Sequence, residues 1–236
     1  MIEAQKLVKA FGAFYALRGV DLSIPKGSTQ CLLGPNGAGK STFLQIIATL
    51  SKPTSGAVKI DGQSILKNAD SVRKRIGLIA HATFLYDELT AFENLQFYAK
   101  LYDVADRDER ISMLLDEVGL FPRRNDRVRT FSRGMQQRLS IARALIHDPD
   151  ILYLDEPYTG LDQHGAEMLT GWLARFKSEH RTTVLVTHNI SQALAVSDNI
   201  AIMTGGKIVM NAKTQALDSA TFSAEYAEIV AGRKAA

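Results

Sequence analysis

Apolar and polar positions alternate in short runs through residues 2–24, in segments such as AQKLVKAF and FYALRGVDLSI. That period-two rhythm predicts half-buried strands of an antiparallel sheet. Pro25, Lys26 and Gly27 turn the chain into residues 29–33 (TQCLL), a short buried strand, and residues 42–50 (TFLQIIATL) change to helical spacing. After the breaker KPTSG, residues 57–62 (AVKIDG) predict an exposed-edge strand ending in a turn, and residues 75–80 (RIGLIA) another buried strand. Between Leu89 and about Val118 the segments ENLQFYAKLY and RDERISMLLDEVGL carry apolar residues at i, i+3 and i+4, the mark of amphipathic helices. Thr90 stands three residues before Glu93, which predicts a capping box at the start of the first helix. Residues 132–147 predict one more helix, with Leu139, Ala142 and Ile146 near one face, ended by Asp148-Pro149-Asp150. Residues 151–154 (ILYL), 182–187 (TTVLVT) and 199–203 (NIAIM) then read as buried strands.

Strands alternating with helices imply an α/β fold with a mostly parallel sheet covered on both faces. To that core the pattern adds an antiparallel β subdomain at the start and an inserted α-helical subdomain at about 85–147. The chain of 236 residues is 46% hydrophobic, its six prolines are scattered and no repeat is visible, so one compact unit is expected over 1–212. Residues 213–236 follow as an alanine-rich tail with a helix at SAEYAEIV and a frayed end.

Charge and cysteine content narrow the partners. A net charge of +3 is too mild for a nucleic-acid footprint, so no nucleic-acid partner is expected. The single cysteine, Cys31, cannot form an internal disulfide and reads as a small buried hydrophobe in a reducing compartment. No stretch reaches the roughly eighteen apolar residues of a membrane span, and the N-terminus lacks a signal-peptide pattern, so cytoplasmic residence is expected.

The chemistry starts at residues 34–42, GPNGAGKST, which match G-x-x-x-x-G-K-[ST] at every fixed position between a strand and a helix. Gly34, Pro35, Asn36, Gly37, Ala38 and Gly39 would form a loop whose backbone N–H groups turn inward on phosphates. Lys40 would reach the β- and γ-phosphates, Ser41 would sit on Mg2+, and Thr42 would open the helix. A nucleoside triphosphate is the expected ligand.

Asp155 and Glu156 close the strand ILYL, and ligands of an open α/β sheet gather at the carboxyl ends of its strands. The pleat would turn the two carboxylates in opposite directions, leaving Asp155 for Mg2+ and Glu156 as general base toward an attacking water. His188 follows TTVLVT in the same way and would contact a γ-phosphate or orient the water, or else be an ordinary loop residue. At 132–135 Ser132, Arg133, Gly134 and Met135 begin a helix with a serine cap, either a second anion site or simple capping.

Taken together these motifs resemble the nucleotide-binding subunit of an ATP-binding cassette (ABC) transporter, from the N-terminus to about Met210. GPNGAGKST matches its phosphate loop, ILYLDEP its second nucleotide motif with the catalytic glutamate, Gly160 to Asp162 (GLD) its dimer-interface loop, and Thr187-His188 its switch histidine. FSRGMQQRLSIARAL resembles the family signature, usually Leu-Ser-Gly-Gly-Gln, with Arg133 and Met135 as departures. The resemblance implies a P-loop NTPase fold, ATP and Mg2+ as ligands, and a head-to-tail pair of subunits. Each ATP would lie between the phosphate loop of one subunit and Ser132 and Gly134 of the other. It further implies transmembrane permease subunits as partners, docked near residues 81–102 with Phe84, Leu85 and Tyr86 as contacts, and residence on the cytoplasmic membrane face. Phe11 takes the place of the adenine-stacking aromatic, with Phe14 and Tyr15 as rivals. His81 stands where the family has a glutamine contacting Mg2+ and water, and imidazole is a poor Mg2+ ligand, so a role through water or toward the helical subdomain is expected.

Three function classes follow. An ATP-hydrolysing transporter subunit leads. A soluble cassette ATPase acting on ribosomes or DNA is the competitor, although those carry tandem cassettes or coiled-coil insertions. A non-hydrolysing regulatory module would lack catalytic groups, whereas Lys40, Asp155, Glu156 and His188 are all present. The wording of 78–102 and 131–162 is similar to the ATPase of haem exporters used in cytochrome c maturation; drug and polysaccharide exporters share much of it.

Overall fold

The computed structural model describes residues 1–218 and 220–232 and consists of two sheets and a helical layer. β1 (Ile2–Phe11), β2 (Phe14–Ile24), β3 (Thr29–Leu33), β4 (Ser55–Ile60), β5 (Gln63–Ser64), β6 (Ile76–Ile79), β7 (Ile151–Asp155), β8 (Thr182–Val186), β9 (Asn199–Thr204) and β10 (Lys207–Lys213) are the strands. The helices are α1 (Lys40–Ile47), α2 (Ala69–Arg73), α3 (Ala91–Leu101), α4 (Arg107–Glu117), α5 (Arg133–Leu145), α6 (Gln163–Ser178), α7 (Ile190–Val196) and α8 (Phe222–Val230).

The alternating N-terminal segment forms the expected antiparallel sheet, in the order β2-β1-β4-β5. β4 is therefore no edge strand: β1 flanks it on one side and the two-residue β5 partly covers the other. The second sheet runs β10-β9-β3-β8-β7-β6, parallel from β9 to β6, with antiparallel β10 closing one side. Its strand residues divide by the pleat. Leu32, Tyr153, Val184 and Val186 face α1 and the antiparallel sheet, whereas Cys31, Leu33, Leu154 and Leu185 face the layer of α3 to α8. Each fully buried leucine or isoleucine contributes about 1.5–3 kcal/mol, so both faces are held by comparable apolar stacks.

The capping box at α3 is present: Glu93 N–H donates to Thr90 Oγ1 at 3.1 Å and Thr90 N–H to the Glu93 carboxylate at 2.8 Å. Helix α1 begins at Lys40, two residues earlier than its apolar spacing predicts, because the phosphate loop itself winds into the first turn. Helix α6 escaped the sequence reading, although Leu169, Trp172, Leu173 and Phe176 are buried at helical spacing and Asp162 caps it. Strand β10 and helix α7 were likewise not anticipated. The helix expected in the tail is α8, and its Phe222 and Ile229 are buried in the same core as the helical layer. The frayed end expected at the C-terminus lies outside the described residues.

Candidate functional site

Four neighbouring parallel strands deliver their carboxyl ends to one edge. β3 leads into the phosphate loop, β8 into Thr187 and His188, β7 into Asp155 and Glu156, and β6 into Ala80 and His81. Sequence distance disappears there: Glu156 N–H donates to Val186 O at 2.9 Å and Thr187 N–H to Leu32 O at 3.3 Å.

The loop is tightly organised. Gly39 has φ +102°, and a Cβ on it would lie 2.5 Å from the Ala16 carbonyl oxygen, so only glycine fits between the loop and β2. Lys40 is buried, and its ammonium donates to the carbonyls of Gly34 (2.6 Å) and Pro35 (2.9 Å). Burial lowers its pKa, against the pull of Glu156 and Asp155. The Ser41 hydroxyl is hydrogen-bonded to Asp155, whose pKa is raised by burial despite that bond. A cavity of about 240 Å3 is lined by residues 36–42 together with Phe14, Ala16, Asp155, Glu156 and Val186.

Asp155 and Glu156 do diverge, toward Ser41 and toward His188, but not because of the pleat. The strand ends at Asp155, and Glu156 takes φ +50°, a left-handed turn that a glutamate adopts only at a cost of about 1–3 kcal/mol when its surroundings hold it there. There its carboxylate accepts from His188 Nδ1 at 2.8 Å and from Thr187 Oγ1 at 3.3 Å. Thr187 was missed in the sequence as a separate group; its hydroxyl also accepts from Asn189 N–H at 3.1 Å and so orders the start of α7.

Behind Asp155 and Glu156 lies a second cavity, of about 490 Å3, whose walls include His81, Arg133, Gln136, Gln137 and Thr159. His81 is close enough to Asp155 to bias its charge, and Arg133 faces the same space. Of the three positions that depart from the pattern of the resembled family, His81 and Arg133 thus share one cavity and Met135 does not line it. Ser132 caps α5, accepting from Met135 N–H at 3.3 Å, and Ser132, Gly134 and Met135 line neither of these two cavities. Asp162 caps α6 by accepting from Gly165 N–H at 2.8 Å.

Phe14, not Phe11, lines the phosphate-loop cavity: the hairpin pairs them across its end, and Phe11 lies under the Lys9 ammonium instead. Of the apolar string 84–86, Leu85 packs into the core while Phe84 and Tyr86 are exposed. Asn94, unremarked in the sequence, is fully buried and accepts from Tyr86 N–H at 2.8 Å, which fixes this loop on α3. Phe84 borders a cleft of about 190 Å3 with Leu50, Arg73, Tyr98, Tyr102 and His147.

Comparison with known proteins matches residues 17–159 to the ABC transporter family model. The ABC transporter ATP-binding protein NatA of Bacillus subtilis is 38% identical over 219 residues, covering 91% of this chain and 86% of that protein. The daunorubicin/doxorubicin resistance ATP-binding protein DrrA of Streptomyces peucetius is 35% identical, over 92% of this chain and 67% of its own length. Among solved structures, the dimeric ATP-binding cassette MJ0796, in a post-hydrolysis state bound to ADP and Pi, superposes with a TM-score of 0.84 at 31% identity, covering 92% of this chain and all of that one (100%).

Proposed function

Because the chain belongs to the ATP-binding, ATP-hydrolysing subunits of ABC transporters, we propose that it works as one half of a head-to-tail pair, each ATP held between two copies. The observation that carries this reading is a division of groups. Lys40, Ser41, Asp155 and Glu156 border the phosphate-loop cavity, whereas Ser132 and Gly134 border no part of it. The capped N-terminus of α5, an anion-binding end, is then available to the γ-phosphate on a second subunit.

Within one site the chain's groups divide the work. Loop N–H groups and Lys40 hold the phosphates, which requires the ammonium to exchange its Gly34 and Pro35 carbonyls for phosphate oxygens. Glu156 takes a proton from water as the water oxygen attacks the γ-phosphorus. The bond from that phosphorus to the bridging oxygen breaks, leaving ADP and phosphate. His188, bonded through Nδ1 to Glu156, orients the carboxylate. Phe14, on the wall of the loop cavity, would meet the nucleotide beyond the loop. Ser41 and Asp155 form an all-oxygen pair suited to a hard divalent cation, so they would hold Mg2+, which neutralises charge on the phosphates; His81 would act through water.

The partners we infer are a second copy and membrane-spanning permease subunits, with the cassette on the cytoplasmic membrane face where ATP is available. Among the described residues no helix is long and apolar enough to cross a membrane. Exposed Phe84, which borders the 190 Å3 cleft, and exposed Tyr86 would offer a docking edge. Haem as cargo rests on sequence resemblance alone, since the groups at the site recognise nucleotide.

Glu156→Gln tests the reading. It is expected to lower hydrolysis by about 10²–10⁴-fold while ATP converts the variant to a stable dimer, measured by phosphate release and light scattering. Unimpaired hydrolysis would remove Glu156 from the base role, and an ATP-bound variant that stays monomeric would remove the shared site.

A further inference from the structure

Helix α5 holds the turn carrying Glu156 from one side, while Val186, Thr187 and His188 bond to Glu156 itself and the Tyr158 hydroxyl lies 3.2 Å from Thr170 Oγ1 on α6. Glu156 has φ +50°, and within the turn Thr159 N–H donates to Glu156 O at 3.1 Å and Leu161 N–H to Tyr158 O at 3.2 Å. Pro157, next in the chain, is buried and has no N–H, so its carbonyl is the one backbone polar group it offers there. Buried Gln137 donates to that carbonyl from Nε2 at 3.2 Å. One turn earlier on α5, Arg133 lies along Gly160: its Nε would be 3.1 Å from a Cβ at that glycine. Gly134 meets the same residue from the helix backbone, a Cβ on it falling 3.2 Å from the Gly160 carbonyl oxygen. The first two turns of α5 therefore grip both ends of the segment 157–160, and the gripping side chains share a cavity wall with Glu156.

We propose that Gln137, assisted by Arg133, is a positioning residue for Glu156, setting the general base in the same subunit whose Ser132 reaches the opposite nucleotide. The inference rests on the base role given to Glu156 above. A left-handed glutamate persists only where its neighbours over-determine it, and Gln137 is the side chain that anchors the residue directly after it. The consequence is a link between sites: movement of α5 on engaging a second subunit's ATP shifts the base at its own.

The experiment compares Gln137→Met, which keeps side-chain bulk and removes the donor, with Arg133→Met, an exposed position where folding is not at stake, each with and without Glu156→Gln. In the wild-type background Gln137→Met is expected to lower kcat about tenfold, and Arg133→Met about threefold, with KM for ATP within about twofold, since small misplacement of a reacting group costs rate rather than binding. In the Glu156→Gln background both changes are expected to leave the residual single-turnover rate unaltered, because no base remains to be placed. Equal-fold losses in the two backgrounds, or an unchanged kcat for both variants, would overturn the proposal. If Gln137→Met does not fold, Arg133→Met alone decides by the same comparison. Should Glu156→Gln itself hydrolyse normally, the base assignment falls and this inference with it; normal rates for the α5 variants beside an inactive Glu156→Gln sink only the inference.

Discussion

The phosphate loop and the N-terminal end of α5 are the two phosphate-binding elements of the proposed reading, yet they are built in opposite ways. Around Lys40 the chain is closed on itself: the ammonium is buried on two carbonyls, Gly39 is wedged against Ala16, and Asp155 is bonded to Ser41. At Ser132 the chain is open, with one 3.3 Å capping bond and an exposed hydroxyl residue. The difference teaches where each half acquires its shape. On the proposed reading the loop is complete within one subunit, whereas the end of α5 has its geometry prepared by its own helix and would have its ligand supplied by another subunit.

Three measurements press on that contrast. Lys40→Ala should be the most damaging, lowering hydrolysis by about 10³-fold and weakening ATP binding by the monomer, because it removes charge from a desolvated phosphate site. Equilibrium binding together with phosphate release would show it, and retained monomer binding would contradict the closed loop. Ser132→Ala should lower hydrolysis by about tenfold and stability by about 1 kcal/mol through loss of the cap, while ATP binding by the monomer stays as in the wild type. A monomer-binding defect in that variant would place Ser132 in its own subunit's site.

The mildest test concerns how α5 is anchored at its other end. There Arg143 donates to Leu78 O, and His147 is bonded through Nε2 to Ile76 O at 3.1 Å while stacked on Tyr102. Burial brings the His147 pKa down to about 4, with Arg143 and Arg110 adding to the fall and Asp148 opposing it. The folded state thus favours neutral imidazole, so the stability this gives is whole above pH 6.5 or so and declines as pH falls toward 4, where the unfolded chain alone takes the proton. Thermal unfolding should show a loss of about 2 kcal/mol from this group between pH 6.5 and 5, absent in His147→Gln. An identical pH dependence in both proteins would detach His147 from the anchor.

Much of this architecture was legible because its signals are local. GPNGAGKST declares a phosphate loop through backbone requirements of adjacent residues, the Thr90–Glu93 box spans three positions, and the apolar runs at β3, β7 and β8 are short and continuous. Which aromatic borders the loop was less accessible: Phe11 and Phe14 sit in one hairpin, and only the packing of β2 beside the loop puts Phe14 on the cavity wall. Helix α6 carries a readable signal in its apolar spacing, with Asp162 as cap.

By itself the sequence determined the chemistry on offer: a loop that cradles phosphates, carboxylates ending a buried strand, a histidine ending another, and a capped helix. These follow from short-range sterics and hydrogen bonding, which a few neighbouring residues decide. Tertiary structure alone decided which of them meet. Strand order places β8 between β3 and β7, so that Thr187 and His188 reach Glu156 across 31 and 32 residues of chain, and α5 docks so that Gln137 holds Pro157 across 20. Such contacts depend on how buried faces pack over long sequence separations, and no local pattern encodes that register.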